Sequence, residues 1–211
     1  MKNIAICFFG NSGGKEGSYG QGGYLDPTFS LNDFKKKIKD ENYRYYYFIH
    51  SWSFEYEKEL DNIFSFSEKI FEPNSNLKFK EIDKMGLNHF NTYKNFFSEK
   101  QWNLFENLSF GAQSRWYSNY KSVELMKDFS IKKNINFDLV FQTRMDLVLK
   151  KNINFSLIDK NYIYSNGRDK KKDIIGEMFL ISNYENAIKF ASIFNRLENY
   201  SLRPPVAAKQ H

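Results

Sequence analysis

An arginine and an aspartate stand two residues apart in a stretch that otherwise looks like the middle of a buried β-strand. In residues 137–149 the odd positions carry no charge, and Gln142, Arg144 and Asp146 stand at even positions. Because strand side chains alternate between faces, these three should share one side of a sheet. Charges near a core must be paired or bind a ligand. The pattern predicts an anion-binding site at the carboxyl end of this strand, with a structural Arg–Asp ion pair as the alternative.

A glycine-rich segment follows the first predicted strand, residues 2–9. Residues 10–23 hold seven of the chain's 11 glycines. Without side chains, backbone N–H groups can approach a phosphate or a base closely. The segment matches neither a Walker A loop nor a dinucleotide-binding loop that leads directly into a helix. It predicts a nucleotide-binding loop, and a surface loop without a ligand is the alternative. The residues predicted to contact the nucleotide are Gly10, Asn11, Ser12, Gly13 and Gly14.

Further polar candidates lie where a second strand ends and where a long helix is predicted to begin. His50 stands near the end of predicted strand 43–52, as a ligand contact or as a structural histidine. Gln113 and Ser114 fall in the first turns of predicted helix 109–134, where unpaired N–H groups favour phosphate. The alternative for these two residues is an ordinary place at a helix start.

The elements that must position these residues alternate between strands and amphipathic helices. Helix 31–39, with Ser30 as its N-cap, separates the first two strands, and helix 55–64 precedes a third strand, 68–73. This alternation is typical of an α/β fold with a mainly parallel sheet flanked by helices. We expect a helical insertion at 74–108. The remaining predicted elements are strands 161–165 and 177–182 and helix 184–197.

Composition and charge limit the kinds of function that the chain can have. Its 211 residues and 25.2 kDa suit a single domain over 1–211, and a place as the N-terminal part of a longer protein is left open. Three histidines and one cysteine, Cys7, exclude an internal disulfide and the usual zinc sites. A net charge of +6 indicates attraction to anions such as acidic lipids or phosphorylated substrates. No nucleic-acid motif is present, so we expect no nucleic-acid partner.

Several segments resemble bacterial capsule and lipopolysaccharide glycosyltransferases of the GT-A type. The resemblance is carried, in order along the chain, by Ile4–Gly10, Phe48-Ile-His-Ser-Trp52, Gln113-Ser-Arg-Trp-Tyr-Ser-Asn-Tyr-Lys-Ser122, Asp138–Asp146 and Glu177-Met-Phe-Leu-Ile-Ser182. It implies a GT-A-like, Rossmann-like domain that moves a sugar from a nucleotide-sugar onto a hydroxyl of a growing surface polysaccharide. It also implies a cytoplasmic enzyme, with peripheral contact to the inner membrane surface, and leaves the oligomeric state open.

The chain departs from that family's pattern at two places. The family's Asp-x-Asp motif holds a divalent ion, but here Arg144 replaces its first aspartate. Asp146 is the remaining candidate ligand for Mg²⁺ or Mn²⁺, whereas Arg144 is expected to bind the diphosphate directly. Glu177 stands where the family has aspartate. If the enzyme inverts, we expect Glu177 to be the catalytic base that accepts the acceptor's proton, with Asp173 as the second candidate. The alternatives are a salt bridge at the strand end for Glu177 and a solvated loop charge for Asp173.

Two other classes of function stay open from the sequence. One is a different group transferase, moving a phosphoryl-type group or a nucleotide onto a capsular sugar. The other is a non-catalytic glycan-binding domain, for which the basic, aromatic-rich composition is suited. An arginine and an aspartate placed inside a core strand would favour an enzyme over a binding surface.

Overall fold

The computed structural model describes most of the chain, and the fold is given for that part. The backbone is described for residues 1–11, 26–73, 98–165, 168–169, 174–175 and 179–199. Within these ranges, side chains are described everywhere except at 101–110, 112, 168–169, 174–175 and 197–199.

The described residues form strands and helices in alternation, as the sequence predicts. The strands are β1 Lys2–Gly10, β2 Tyr43–Ser51, β3 Glu68–Phe71, β4 Leu139–Arg144, β5 Tyr164–Ser165, β6 Arg168–Asp169, β7 Ile174–Ile175 and β8 Phe179–Ser182. The α-helices are α1 Thr28–Ile38, α2 Glu57–Phe64, α3 Glu99–Lys133 and α4 Tyr184–Ala191. Short 3-10 helices cover Phe54–Tyr56, Phe155–Leu157 and Ser192–Asn199.

The main sheet of the described residues has six strands in the order β3-β2-β1-β4-β8-β5. The first four strands of this order are parallel to one another, whereas β8 is antiparallel to both β4 and β5. This confirms a mixed, mainly parallel sheet in an α/β protein, compatible with a Rossmann-like fold. The small pair β6–β7 forms a separate antiparallel sheet.

Helices cover both faces of this sheet. On one face, α1 and α2 place Phe34 and Phe64 against Phe8 of β1, with ring centroids 5.5 and 4.7 Å apart. On the other face lies a second core, to which α3 contributes Val123 and Met126 and α4 contributes Ala187 and Ala191. Cys7 lies fully buried in that second core. Aromatic pairs of this kind add about 0.5–1.5 kcal/mol each to the effect of burial.

The path of the chain creates a switch point between β1 and β4. From β1 the chain passes to β2 and β3 on one side, and it then returns through α3 to β4 on the other side of β1. The strand order therefore reverses direction between the parallel neighbours β1 and β4. Open α/β sheets bind ligands outside the carboxyl ends of the strands, where the strand order reverses in this way.

The predicted long strand 137–149 is wrong in its extent. β4 ends at Arg144, and the next two residues form a turn. Met145, Leu147 and Leu149 are nevertheless buried in the same core as Phe141 of β4. The alternation that looks like one strand therefore continues after the chain has left the sheet, because the later residues also pack on the α1 face.

The predicted start of helix 109–134 is also wrong. α3 begins at Glu99, so its first residues belong to the segment predicted as an insertion, while 74–97 lie outside the described residues. Gln113 and Ser114 lie about four turns inside the helix, not at its N-terminus, and their N–H groups are within the helical hydrogen-bond pattern. Their predicted role through unpaired N–H groups is lost.

Ser30 is not the N-cap of the first helix. α1 begins at Thr28, and the Ser30 hydroxyl, already inside the helix, donates to the Pro27 carbonyl oxygen at 3.0 Å. The Asp26 carboxylate accepts from the Thr28 N–H at 2.8 Å, so the carboxylate serves the first turn instead.

Candidate functional site at the carboxyl edge of the sheet

Gly10 ends β1 in a conformation that its position requires. Its φ of 91° is in the left-handed region, where glycine carries no steric cost. Its N–H donates to Ser118 Oγ of α3 at 2.7 Å, and its carbonyl oxygen accepts from Ser51 Oγ of β2 at 2.8 Å. Both backbone groups are thus fixed by neighbouring elements, and the glycine-rich segment leaves the sheet from a defined point.

Asn11 is the last described residue before the rest of the predicted nucleotide loop. Its side-chain oxygen is shielded from solvent and, among the described residues, accepts no hydrogen bond. An amide oxygen in this state is an acceptor available to a ligand or to water. Ser12, Gly13 and Gly14, which the sequence assigns to the same loop, lie outside the described residues.

His50 lies fully buried at the end of β2, with both ring nitrogens engaged. Nδ1 is 2.8 Å from Ser118 Oγ, and Nε2 is 2.9 Å from Glu72 Oε1. The edges of the ring face Trp52 and Tyr117, with ring centroids 4.6 and 5.3 Å away. Because both ring nitrogens contact protein groups, His50 holds its neighbours in place. The geometry therefore favours a structural role for His50 over direct contact with a nucleotide.

The protonation state of His50 follows from its surroundings. Burial lowers the pKa of the imidazole, and the Glu72 carboxylate opposes that shift only in part. In a neutral ring whose Nε2–H donates to Glu72, Nδ1 is an acceptor, and the single Ser118 proton is shared between Nδ1 at 2.8 Å and the His50 carbonyl oxygen at 3.0 Å. The same oxygen of Ser118 accepts from Gly10, so one hydroxyl joins β1, β2 and α3.

The succession Ser118–His50–Glu72 has the residue types of a hydrolase triad, but its geometry does not suit a nucleophile. Ser118 is fully buried inside α3, and its oxygen already accepts the Gly10 N–H. A serine nucleophile must reach a substrate carbonyl beside an oxyanion site. The three residues are therefore a structural network that ties the strand ends together.

Glu72 and Tyr117 extend this network to the surface. The Glu72 side chain is 32% exposed and accepts a hydrogen bond from Tyr117, whose pKa burial and Glu72 together raise to about 12. The Tyr117 ring stacks on Trp52 at 5.7 Å between centroids and 17° between planes. An aromatic pair beside a half-exposed carboxylate thus forms a wall at the carboxyl edge, at the ends of β2 and β3.

Tyr117, Ser118 and Glu72 were missed as site residues in the sequence. A signal for two of them was present, because Tyr117 and Ser118 close the segment that begins at Gln113. Gln113 and Ser114, chosen from that segment, are only 3% and 7% exposed. For Glu72, at the end of a predicted strand, no pattern distinguished it from other surface carboxylates.

Arg144 and Asp146 lie at the same edge of the sheet but not inside its core. Arg144 Nε donates to Asp146 Oδ1 at 2.8 Å, and Nη2 donates to Oδ2 of the same carboxylate. Their side chains are 36% and 39% exposed, so the expectation of buried charges is wrong. The strand ends at Arg144, and the following turn carries Asp146 into solvent. The ion pair weighed as the alternative is present, and ligand contact by either residue stays a prediction.

Arg115 is a second guanidinium that the sequence did not single out. It reaches from α3 to within 5.9 Å of the centre of the Phe9 ring. Phe9 is 4% exposed and, across the sheet, lies next to Arg144 of β4 and His50 of β2. A helix and a strand therefore bring two cationic side chains towards one buried ring at the switch point.

Two buried amide oxygens lie in the layer between α3 and the sheet. Asn119 Oδ1 and Gln142 Oε1 accept no hydrogen bond among the described residues, although their side chains are only 3% and 1% exposed. Gln142 Nε2 donates to the Ala187 carbonyl oxygen at 3.4 Å, so only its oxygen is unsatisfied. Such groups are costly in a core unless a water molecule or a ligand donates to them.

The described residues do not fit a resident metal ion held at Asp146. Both oxygens of that carboxylate face Arg144, and no group of three or more His, Cys, Asp or Glu in the described part of the chain could hold a metal. A Mg²⁺ or Mn²⁺ ion at Asp146 stays a prediction from the resemblance. Asp173 and Glu177, the candidate bases, lie outside the described residues.

Comparison with known proteins identifies no family for this chain. No protein-family model matches the chain, and no curated protein matches it. Across the part of the chain that the structure describes, no helix has the length and apolar character needed to cross a bilayer.

Proposed function

We propose that this protein is a nucleotide-sugar-dependent glycosyltransferase that extends a bacterial surface polysaccharide. The observation that carries the proposal is the meeting of Gly10, Arg144 and Asp146 at the switch point between β1 and β4. That crevice is where α/β sheets of this kind receive phosphorylated ligands. The identity of the transferred group comes from the resemblance in the sequence, as does the proposed cytoplasmic location at the inner membrane surface.

In the proposed complex, cationic side chains receive the donor's diphosphate. Arg144, held in one plane by its two contacts with Asp146, is oriented before the ligand arrives. Arg115 would approach the same anion from α3, across the Phe9 ring. Fixed cations of this kind stabilise the charge that develops on the leaving diphosphate as the sugar departs, without reorganisation during the reaction.

The acceptor hydroxyl needs a base if the transfer inverts the sugar's configuration. The sequence assigns this role first to Glu177 and then to Asp173, since a carboxylate accepts a proton from a hydroxyl as the new bond forms. The network of Glu72, His50 and Ser118 would act indirectly, because it holds Gly10 in place where the donor loop begins.

Nucleotide binding is the direct test. The purified protein would be titrated with UDP, GDP and CDP by calorimetry, with and without Mn²⁺, and we expect one of the three to bind. Arg144→Gln should weaken that binding about tenfold or more, the cost of one charge-assisted contact. Arg44→Gln is the matched control, because Arg44 is an exposed strand arginine near the other end of the sheet. Binding of no nucleoside diphosphate would refute the donor site.

Turnover separates this proposal from the other transferases. Incubation with nucleotide-sugars and a polysaccharide acceptor should give a product heavier by one sugar in mass spectrometry. Asp146→Ala should abolish that product while leaving the far-ultraviolet circular dichroism spectrum unchanged. Full activity in this variant would contradict the role given to Asp146, and a product carrying a phosphoryl group would identify a different group transfer.

A further inference from the structure

The amino edge of the sheet, where β1, β2, β3 and β4 begin, exposes several large apolar side chains. Met1 precedes β1, and Ile131 lies in the last turn of α3, which leads into β4. The connection from β4 to β5 reaches the same edge, because the Lys37 carbonyl oxygen in the last turn of α1 accepts from Ile153 N–H at 3.0 Å. The exposed fractions are 84% for Met1, 70% for Ile131, 76% for Leu157, 64% for Tyr162 and 50% for Ile163.

Basic side chains surround these apolar residues. The exposed basic residues of this edge are Lys2, Lys36, Lys39, Arg44, Lys132, Lys133, Lys150, Lys151 and Lys160. The acidic residues there are fewer, namely Asp40, Glu41, Glu68, Asp138, Asp159 and Glu185. Lysines at the ends of α1 and α3 are explained by the helix dipole, but Lys150, Lys151 and Lys160 belong to no helix. The edge is therefore positively charged beyond what helix ends require.

The combination fits a bilayer surface better than other partners. Single apolar side chains spaced among lysines can enter the headgroup layer while the ammonium groups meet anionic headgroups. A protein interface would have a contiguous apolar centre depleted in lysine. A surface for single-stranded nucleic acid would offer successive aromatic rings for stacking, whereas Tyr162 here lies beside the aliphatic Leu157 and Ile163.

We propose that the amino edge docks on an anionic lipid surface, through Leu157, Tyr162 and Ile163 and the lysines beside them. The proposal assigns a face to the membrane contact that the proposed function includes, and it does not depend on nucleotide binding. β1 has nine residues, so the candidate site would stand about 30 Å from the bilayer surface, at the opposite edge of the sheet. The donor site would then open towards the aqueous phase while the protein is bound.

Vesicle sedimentation tests the docking face. The full chain would be spun with vesicles of phosphatidylcholine alone or with one quarter phosphatidylglycerol, in 0.1 M and 0.5 M salt. We expect binding only with phosphatidylglycerol, and a marked loss at the higher salt. Lys150→Gln should lower the partition coefficient about fivefold, the effect of one lysine near such a surface. The double variant Leu157→Asp, Ile163→Asp should lower it at least as much.

Phe29→Asp is the matched control, because Phe29 is 87% exposed at the start of α1, at the opposite edge. It should bind vesicles as the unchanged protein does. Three results would overturn the proposal: no dependence on phosphatidylglycerol, an equal loss in the Phe29 variant, or binding that a large excess of RNA abolishes. Nucleotide titration of the same variants distinguishes this outcome from failure of the donor site, since none of them should change it.

Discussion

Removing a single oxygen, in Ser118→Ala, should destabilise the fold far more than its size suggests. Ser118 Oγ accepts the half-buried Gly10 N–H at 2.7 Å and lies 2.8 Å from Nδ1 of the fully buried His50. In the variant, a backbone donor and a ring nitrogen both lose their partner. Each such loss costs about 1–3 kcal/mol, and the gain in helix propensity returns about 0.5 kcal/mol. We expect a net loss of about 1.5–5.5 kcal/mol.

Ser122→Ala supplies a control on the same helix with the same change. Ser122 is also fully buried, but its hydroxyl donates only to the Asn119 carbonyl oxygen of its own helix, at 2.8 Å. That carbonyl keeps its backbone partner one turn on, so no group is left unsatisfied. The free energy of unfolding should change by about 1 kcal/mol or less.

Guanidinium denaturation followed by circular dichroism would measure both variants under one set of conditions. In thermal unfolding, each kcal/mol of difference in unfolding free energy between the Ser118 and Ser122 variants corresponds to about 2–4 °C in melting temperature. Equal stabilities for the two variants would refute the view that Ser118 joins the strand ends. Equal slopes against denaturant are the accompanying check that both unfold from the same state.

Two further changes probe the same edge. Gly10→Ala should lower the free energy of unfolding by about 1–2 kcal/mol through its φ of 91° alone, since an added Cβ meets nothing within 4 Å. Gly111→Ala, in the exposed middle of α3, should raise it by up to about 1 kcal/mol. Denaturation curves that shift in the same direction for both variants would contradict this. His50→Gln should remove part of the acid sensitivity of the fold. Burial lowers the pKa of His50 in the folded state, so below about pH 6.5 the unfolded chain binds a proton that the folded chain does not. The free energy of unfolding therefore falls with decreasing pH until the pKa of the folded state is passed. Unfolding curves between pH 7 and pH 5 would show the same slope in both proteins if His50 were not responsible.

The alternating order of strands and helices could be predicted because each element carries its own period of apolar residues. The limits of elements were less predictable, since packing rather than local pattern sets them. Residues 145–149 alternate as a strand does because they lie on the same core as β4, although they form no sheet bonds. The local sequence pattern does not distinguish a strand from a non-strand segment that also buries every second residue.

The candidate site was predictable in its place but not in its connections. Gly10 ends β1 and Arg144 ends β4, and parallel strands bring their carboxyl ends to one edge, so an arrangement of parallel strands brings the two residues close together. Glu72 and Ser118 meet His50 from 22 and 68 residues away, and only the fold determines those contacts. The exposure of the Arg144–Asp146 pair depends on where β4 ends, which the sequence placed too late.

The length of α3 governs how a ligand can come in. Ser118 is level with the end of β1, so the part of α3 that precedes it, from Glu99 onwards, extends past the strand ends by about 28 Å. This extension covers the α3 side of the crevice. In the proposed glycosyltransferase, it would keep a long, stiff acceptor away from that side.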